Sequence, residues 1–241
     1  MTLTHIPQHK PNNNVLIFDV ETNGLIPHNV PINIRNITKL PHVLQLSFTI
    51  YNSKKKKIIK KYDTYVQIPH HVEISKDITE LTKIDKQLCR KKGKPILNVL
   101  KDFYDGYMQC DTIVAHNLKF DRNMILVELT RNGMLLSQSM PYIFTIFNES
   151  YHTKYNIKTY CTMQNSIDLC NILVPAKTPG KAPYKKWPKL SELYAFLFTD
   201  EEMPENLHNS YIDTLLCLRC YLKIAHNIEV VDFLQLCKEM T

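Results

Sequence analysis

Apolar and polar positions fall into short segments along this chain, and the first of them is the most hydrophobic. VLIFDVETNGL (15–25) opens with an apolar run that predicts a buried strand over Val15–Val20. VLQLSFTI alternates and predicts a second strand over Val43–Ile50. A third is expected over Lys61–Ile68, after the lysines Lys54, Lys55, Lys56, Lys57, Lys60 and Lys61, which fit the tip and flank of a hairpin and keep its edge soluble. Three strands with no helix between them predict a meander rather than a βαβ unit. Helical spacing of Ile96, Leu97, Leu100, Phe103 and Tyr104 predicts a helix from Pro95 to Gly106, with Pro95 in its first turn. DTIVAH (Asp111–His116) reads as a short buried strand leading into a helix over about 121–132 closed by Gly133. A further strand is expected over Asn156–Met163, then a short helix to Asn171. Helices are expected at Leu190–Phe198, at about Ser210–Ala225 and at 229–239. Residues 1–14 read as a flexible polar lead-in, and 15–241 as one α/β domain without internal repeats.

Composition narrows the function. With 241 residues and 44% hydrophobic content, the chain can bury one substantial core. No stretch of about 18 apolar residues is present to span a bilayer. The N-terminal MTLTHIPQHKPNNN lacks the apolar core of a secretory signal. Seven scattered cysteines predict free thiols in a reducing, intracellular setting, cytoplasmic or nuclear. The net charge of +7 suits a polyanionic partner such as nucleic acid.

Candidate chemistry sits at the ends of the predicted strands. Asp19 and Glu21 are two apart on a strand and so project from one face, where like charges repel unless a cation lies between them. Gly24 lets the chain turn away just beyond. In IVAHNLKFDRNMI the pattern recurs: an apolar strand, His116 and Asn117, then Asp121 near a helix start. In LHNSYIDTLLCL, five positions separate His208 from Asp213, a rotation of about 140° on a continuous helix, so they would not share a face. If the helix begins near Ser210, His208 lies on the preceding loop and can reach over Asp213, a proton shuttle beside an anchored metal ligand. Cys217, Cys220 and His226 fall inside a predicted helix among leucines, which favours core thiols over zinc. His70 and His71 follow Pro69 in a loop and are assigned no role.

FDVET, AHNLKFD and HNSYID, in this order, resemble the three motifs of the DEDDh 3′→5′ exonucleases, the superfamily of proofreading epsilon subunits, oligoribonuclease and RNase T-like enzymes. The sister subfamily has Tyr four residues before the last Asp; here Asn209 stands there and His208 one position earlier, which fits the histidine group. The resemblance covers about residues 15–225. It implies an RNase H-like mixed five-stranded sheet, a three-stranded antiparallel meander plus parallel strands, with helices on both faces. It also implies two Mg²⁺ or Mn²⁺ ions held by Asp19, Glu21, Asp121 and Asp213, with Asp19 bridging and His208 as general base.

The same resemblance implies that Thr22, Asn23 and Leu25 meet a 3′-terminal nucleotide, Leu25 as an apolar wedge, and that Asn117 lies near the strand. Asn23 stands where the family often has Thr or Ser. The loop 174–189 carries Lys177, Lys181, Lys185, Lys186 and Lys189 around Tyr184 and Trp187. Cations interleaved with aromatic rings suit nucleic acid; alternatively, Trp187 packs against the helix starting at Leu190. Lys185, Lys186 and Trp187 are therefore candidate substrate contacts. The expected activity is 3′→5′ hydrolysis of single-stranded nucleic acid, DNA before RNA, with an exoribonuclease or a non-catalytic binding module as alternatives. A polymerase partner or homodimer is left open.

Overall fold

A computed structural model describes residues 8, 9, 11–176, 178, 180–201, 203, 204 and 208–229. The helix expected at 229–239 lies outside the described residues save Glu229, as do Lys177 and residues 1–7 and 10 of the lead-in. Where the lead-in is described it is tied down: the Asp111 carboxylate accepts from His9 Nε2 at 3.0 Å and from the backbone of Asn12 at 2.9 Å and Asn13 at 2.6 Å.

Five strands, β1 (Asn14–Thr22), β2 (Val43–Asn52), β3 (Lys57–Tyr65), β4 (Thr112–Ala115) and β5 (Lys158–Cys161), form one mixed sheet in the order β3-β2-β1-β4-β5. β1–β2 and β2–β3 pair antiparallel; β1–β4 and β4–β5 pair parallel. The expected meander is present, with β3 four residues earlier than expected and ending at Tyr65. Lys56 takes the left-handed conformation (φ 52°), which closes the turn early, and Lys57 and Lys61 then point outward along the sheet edge.

Strand periodicity sorts β1 into two faces. Leu16, Phe18 and Val20 enter a core with Phe48, Leu100, Phe103, Met124 and Ile125. Phe103 sits at the centre of its aromatic part, with ring centroids 5.2 Å from Phe18 and 6.0 Å from Phe48. Val15 and Ile17 enter a second core with Val114, Cys217, Leu218 and Tyr221. The alternation continues to Asp19 and Glu21, which therefore lie on the Cys217 face.

Helices α1 (Lys76–Thr82), α2 (Lys86–Lys92) and α3 (Ile96–Tyr107) follow β3; α4 (Leu118–Arg131), α5 (Gly133–Ser139) and α6 (Glu149–Tyr155) lie between β4 and β5. After β5 come α7 (Thr162–Asn165), α8 (Ile167–Cys170), a two-residue hairpin of β6 (Leu173–Val174) and β7 (Tyr184–Lys185), α9 (Leu190–Leu197) and α10 (Ser210–His226). α3 and α4 supply the first core and α10 the second, so helices cover both faces of the sheet.

Several boundaries differ from expectation for local reasons. Asn117 is left-handed (φ 68°), so α4 starts at Leu118 instead of 121. Gly133 does not close α4; Asn132 interrupts the helix and Gly133 opens α5. The strand expected over Asn156–Met163 shortens because left-handed Asn156 (φ 52°) caps α6 and Thr162 opens α7. Pro95 is the N-cap of α3, one place outside its first turn. α1, α2 and α6 were not anticipated; Ser75, Asp85 and Asn148 start them by accepting from the backbone of Ile78, Leu88 and Tyr151.

Candidate active site

Four carboxylates converge at the end of β1 from three elements. Asp19 and Glu21 come from the strand, Asp213 from the first turn of α10, and one oxygen of each of these three lies within 4.8 Å of the others. Asp121 comes from the first turn of α4. Where β4 stops, the Val20 N–H on that side of β1 has no strand partner, and Asp121 Oδ1 accepts it at 3.3 Å. Asp121 is 1% exposed, and its Oδ2 is buried without a hydrogen-bond partner.

Polar ties hold α10 against the strands. Ser210, at the start of α10, bonds Ser47 of β2 through a 2.6 Å hydroxyl contact, and the Ser47 hydroxyl donates to Asp63 of β3 at 2.6 Å. Ser47 lies directly across from Asp19 in the β1–β2 register, so this relay sets Asp213 at the height of Asp19. Asn209 caps the helix by accepting from Tyr211 and Ile212. His208 precedes it in a left-handed conformation (φ 66°); its backbone donates to Asp213 and its side chain is exposed. The helix does begin at Ser210, so His208 lies on the loop and not on the helix.

Electrostatics in this cluster are unfavourable without a counter-charge. Burial first, then Asp121, Asp213 and Glu21, push Asp19 well above the carboxylate range. Burial, Asp213 and Asp121 push Glu21 up to about 8. Burial pushes Asp213 up to about 7 against the hydrogen bond from His208. Asp121 is raised by burial, although the Val20 N–H and its own backbone oppose the shift. An all-oxygen donor set with one orphaned buried oxygen fits hard divalent cations such as Mg²⁺ or Mn²⁺. Among the described residues this is the one group of three or more His, Cys, Asp or Glu side chains that could hold a metal. Cys217 and Cys220 are buried thiols of α10, and His226 bonds the Tyr221 hydroxyl at 3.0 Å.

The residues after Glu21 turn off the strand through a register shift between Glu21 and Thr22. Such irregularities re-aim the chain beside functional sites. The Thr22 hydroxyl donates to Gly24 O at 2.7 Å, and Leu25 is left 80% exposed. Asn23 does something the sequence did not disclose. Its Oδ1 accepts from the His42 backbone at 2.6 Å and its Nδ2 donates to Glu73 O at 3.0 Å. The side chain thereby fastens three segments that wall a groove of about 600 Å³ running from Asn23–Leu25 to Arg131. Arg131 fixes another wall by donating to Leu40 O at 2.9 Å and Pro41 O at 2.8 Å, while pairing with buried Glu128. Asn23→Ala is therefore expected to raise KM for an oligonucleotide by up to about thirtyfold, since two hydrogen bonds of about 1 kcal/mol each hold the groove's walls together. Steady-state kinetics on the variant checks this, and an unchanged KM would deny Asn23 that role.

Asn117 sits at the left-handed junction of β4 and α4, beside the carboxylate level. Its neighbour His116 ties the second motif to the segment before α9: Nε2 donates to Pro188 O at 3.1 Å and Nδ1 accepts from Thr162 Oγ1 at 2.9 Å. Burial pushes His116 down to about 4, so the ring is neutral at pH 7. Lys185 pairs with Asp168 at 2.7 Å and Lys186 with Glu192. Trp187 is 61% exposed, which departs from the alternative of packing on α9.

The sequence profile of the RNase T exonuclease family matches residues 16–174. No curated protein matches the chain. Among solved structures, exonuclease I of E. coli in complex with a dA16 oligonucleotide has a TM-score of 0.56 at 15% identity, over 89% of this chain and 42% of its own. Cell-death related nuclease 4 has a TM-score of 0.54 at 15% identity, over 92% of this chain and 66% of its own. A full-length 3′-exonuclease has a TM-score of 0.51 at 13% identity, over 91% and 62%. This chain thus spans about two fifths of the length of exonuclease I. Among the described residues no helix is long and apolar enough to cross a membrane. With the profile match over most of the chain and the sheet order β3-β2-β1-β4-β5 beneath its acidic cluster, the chain belongs to the RNase T family of exonucleases, in the DEDDh group of the RNase H-like fold.

Proposed function

We propose that the protein is a divalent-metal-dependent 3′→5′ exonuclease that removes nucleoside 5′-monophosphates from single-stranded nucleic acid, DNA in preference to RNA. The observation that carries this reading is the convergence of Asp19, Glu21 and Asp213 oxygens within 4.8 Å, beside the orphaned Oδ2 of Asp121. Asp19, Glu21, Asp121 and Asp213 would hold two divalent ions, Mg²⁺ or Mn²⁺. When bound, the ions supply Lewis acidity and charge neutralisation at a phosphate. His208, on an exposed turn tied to Asp213 by its backbone, accepts the proton of the attacking water. Thr22, Asn23 and Leu25 shape the seat of the terminal nucleotide, with the Leu25 side chain against its base, and Asn117 borders the strand. The dA16 complex of exonuclease I, which shares the fold, supports single-stranded DNA as substrate.

A panel of 5′-labelled oligonucleotides, DNA and RNA, single- and double-stranded, tests this reading. Single-stranded DNA is expected to shorten from its 3′ end as a ladder in Mg²⁺ and to remain intact in EDTA. Faster loss of the RNA ladder would make the protein an exoribonuclease. Intact substrates under every condition would overturn the reading.

A further inference from the structure

The segment after residue 174, where the family match ends, carries a feature that the acidic cluster does not use. Its described C-terminal part, Tyr184–Pro188, is an arm with a fixed backbone and free rings. Leu173 and Val174 pair with Lys185 and Tyr184, and the Lys186 N–H donates to Ile172 O at 3.0 Å. Asp168 holds Lys185, Glu192 holds Lys186, and His116 holds Pro188 O at 3.1 Å. Trp187 lies between the last two anchors, yet its side chain stays 61% exposed, and Tyr184 is 48% exposed. Lys185 and Lys186, the candidate substrate contacts, also brace the arm through these pairs.

His116 also fixes where the arm stands. The parallel register Ile17↔Val114 ends β4 at Ala115, so His116 stands in the turn just past that strand end, beside the level of Asp19. Its other nitrogen bonds Thr162, and Thr162 contacts Cys217 Sγ at 3.6 Å beneath the carboxylates. The groove beside Leu25 lies on the β2 side of β1, because Asn23 is fastened to His42. The arm lies on the β4 side. With a 3′-terminal nucleotide seated at Thr22–Leu25, the strand would pass the carboxylates and leave toward Trp187.

We infer that Trp187, seconded by Tyr184, is a stacking platform for unpaired bases on the 5′ side of the scissile phosphate. The inference rests on the nuclease reading for the direction of the strand. An indole has few rotors to immobilise, and with its backbone already pinned, stacking costs little ordering. Every base offers a π-face, so such a platform tolerates any sequence but requires unpaired bases.

Trp187 is the sole tryptophan of the chain, so intrinsic emission reports on this one position. Asp19→Asn protein in Mg²⁺ is titrated with dT15 and with an abasic 15-mer of equal charge, and binding is followed independently by anisotropy of end-labelled oligonucleotide. Emission is expected to be quenched saturably by dT15 and left unchanged by the abasic strand. Trp187→Ala is expected to weaken dT15 binding about tenfold, within the range for one stacked base, and Trp187→Phe to restore most of it. Binding by anisotropy without quenching, equal affinity of Trp187→Ala, or no binding at all overturns the platform. Quenching by dT15 together with no shortening of the same oligonucleotide by the unsubstituted protein leaves the platform standing and removes the nuclease reading.

Discussion

Asp19→Asn is expected to lower kcat on single-stranded DNA by at least about a thousandfold, and to raise the melting temperature of the metal-free protein at pH 8. The two effects share a cause. Asp19 is the carboxylate raised by all three of the others, Asp121, Asp213 and Glu21, so it stands at the electrostatic centre of the cluster. A metal site contributes several kcal/mol of transition-state charge stabilisation, and about 4 kcal/mol corresponds to roughly a thousandfold in rate. An amide in place of Asp19 removes the central carboxylate of the cluster while keeping the shape. It also removes a buried group that the metal-free fold can keep only by bearing a repelled charge or by holding a proton the unfolded chain releases, so the empty cluster costs less. Kinetics on a labelled oligonucleotide and a thermal melt in EDTA measure both. Full activity would show that Asp19 holds no essential ion. A lower melting temperature would show that the cluster is not repulsive without metal.

Without divalent cations, stability is expected to fall between pH 6.5 and 8, and Mg²⁺ or Mn²⁺ is expected to abolish the fall. Glu21 at about 8 and Asp213 at about 7 retain protons in the fold that the unfolded chain has released above its ordinary carboxylate range. Stability from these groups is therefore fully present below pH 4 and is lost as the pH rises through 7 and 8. His42 and His116 are both lowered to about 4, mainly by burial. Their effect has the opposite sign: stability rises with pH up to about 6.5, the unfolded histidine value, and is flat beyond it. The window from pH 6.5 to 8 thus isolates the carboxylates. Two protons lost across part of that window correspond to on the order of 2–3 kcal/mol, or a fall of about 5–10 °C in a domain of this size. Bound cations favour the ionised forms and reverse the dependence. A metal-free melting temperature that is flat over this window, or one that cations do not move, would contradict the electrostatics.

What the sequence disclosed and what it withheld follow from the range of the interactions. β1 was legible because its apolar run is buried on both faces, and period 2 alone puts Asp19 beside Glu21. α10 was legible because Asn209 and Ser210 mark its start, which leaves His208 on the loop before it. Asp121 was placed on its helix, but the start of α4 was not, because Asn117 carries a left-handed conformation that no local pattern announces. Asn23 was read for the residue it replaces in the family; its bonds go to His42 and Glu73, partners that only the folded chain brings close. The same holds for the Ser210–Ser47–Asp63 relay. Trp187 could be read as packing on α9 or as a contact, and its exposure, set by the anchors of its neighbours Lys186 and Pro188, departs from the first.

The parts of the acidic centre enter the chain at widely separated times. Asp19 and Glu21 are made first, Asp121 near the midpoint, and Asp213 only after the whole sheet. The Ser47–Ser210 contact that seats α10 closes a loop of most of the chain and forms only once that helix has been synthesised. A chain emerging from the ribosome can thus complete its five strands, α3 and α4 while the cluster still lacks one carboxylate. The cluster is therefore assembled by the docking of α10 rather than by the folding of the sheet.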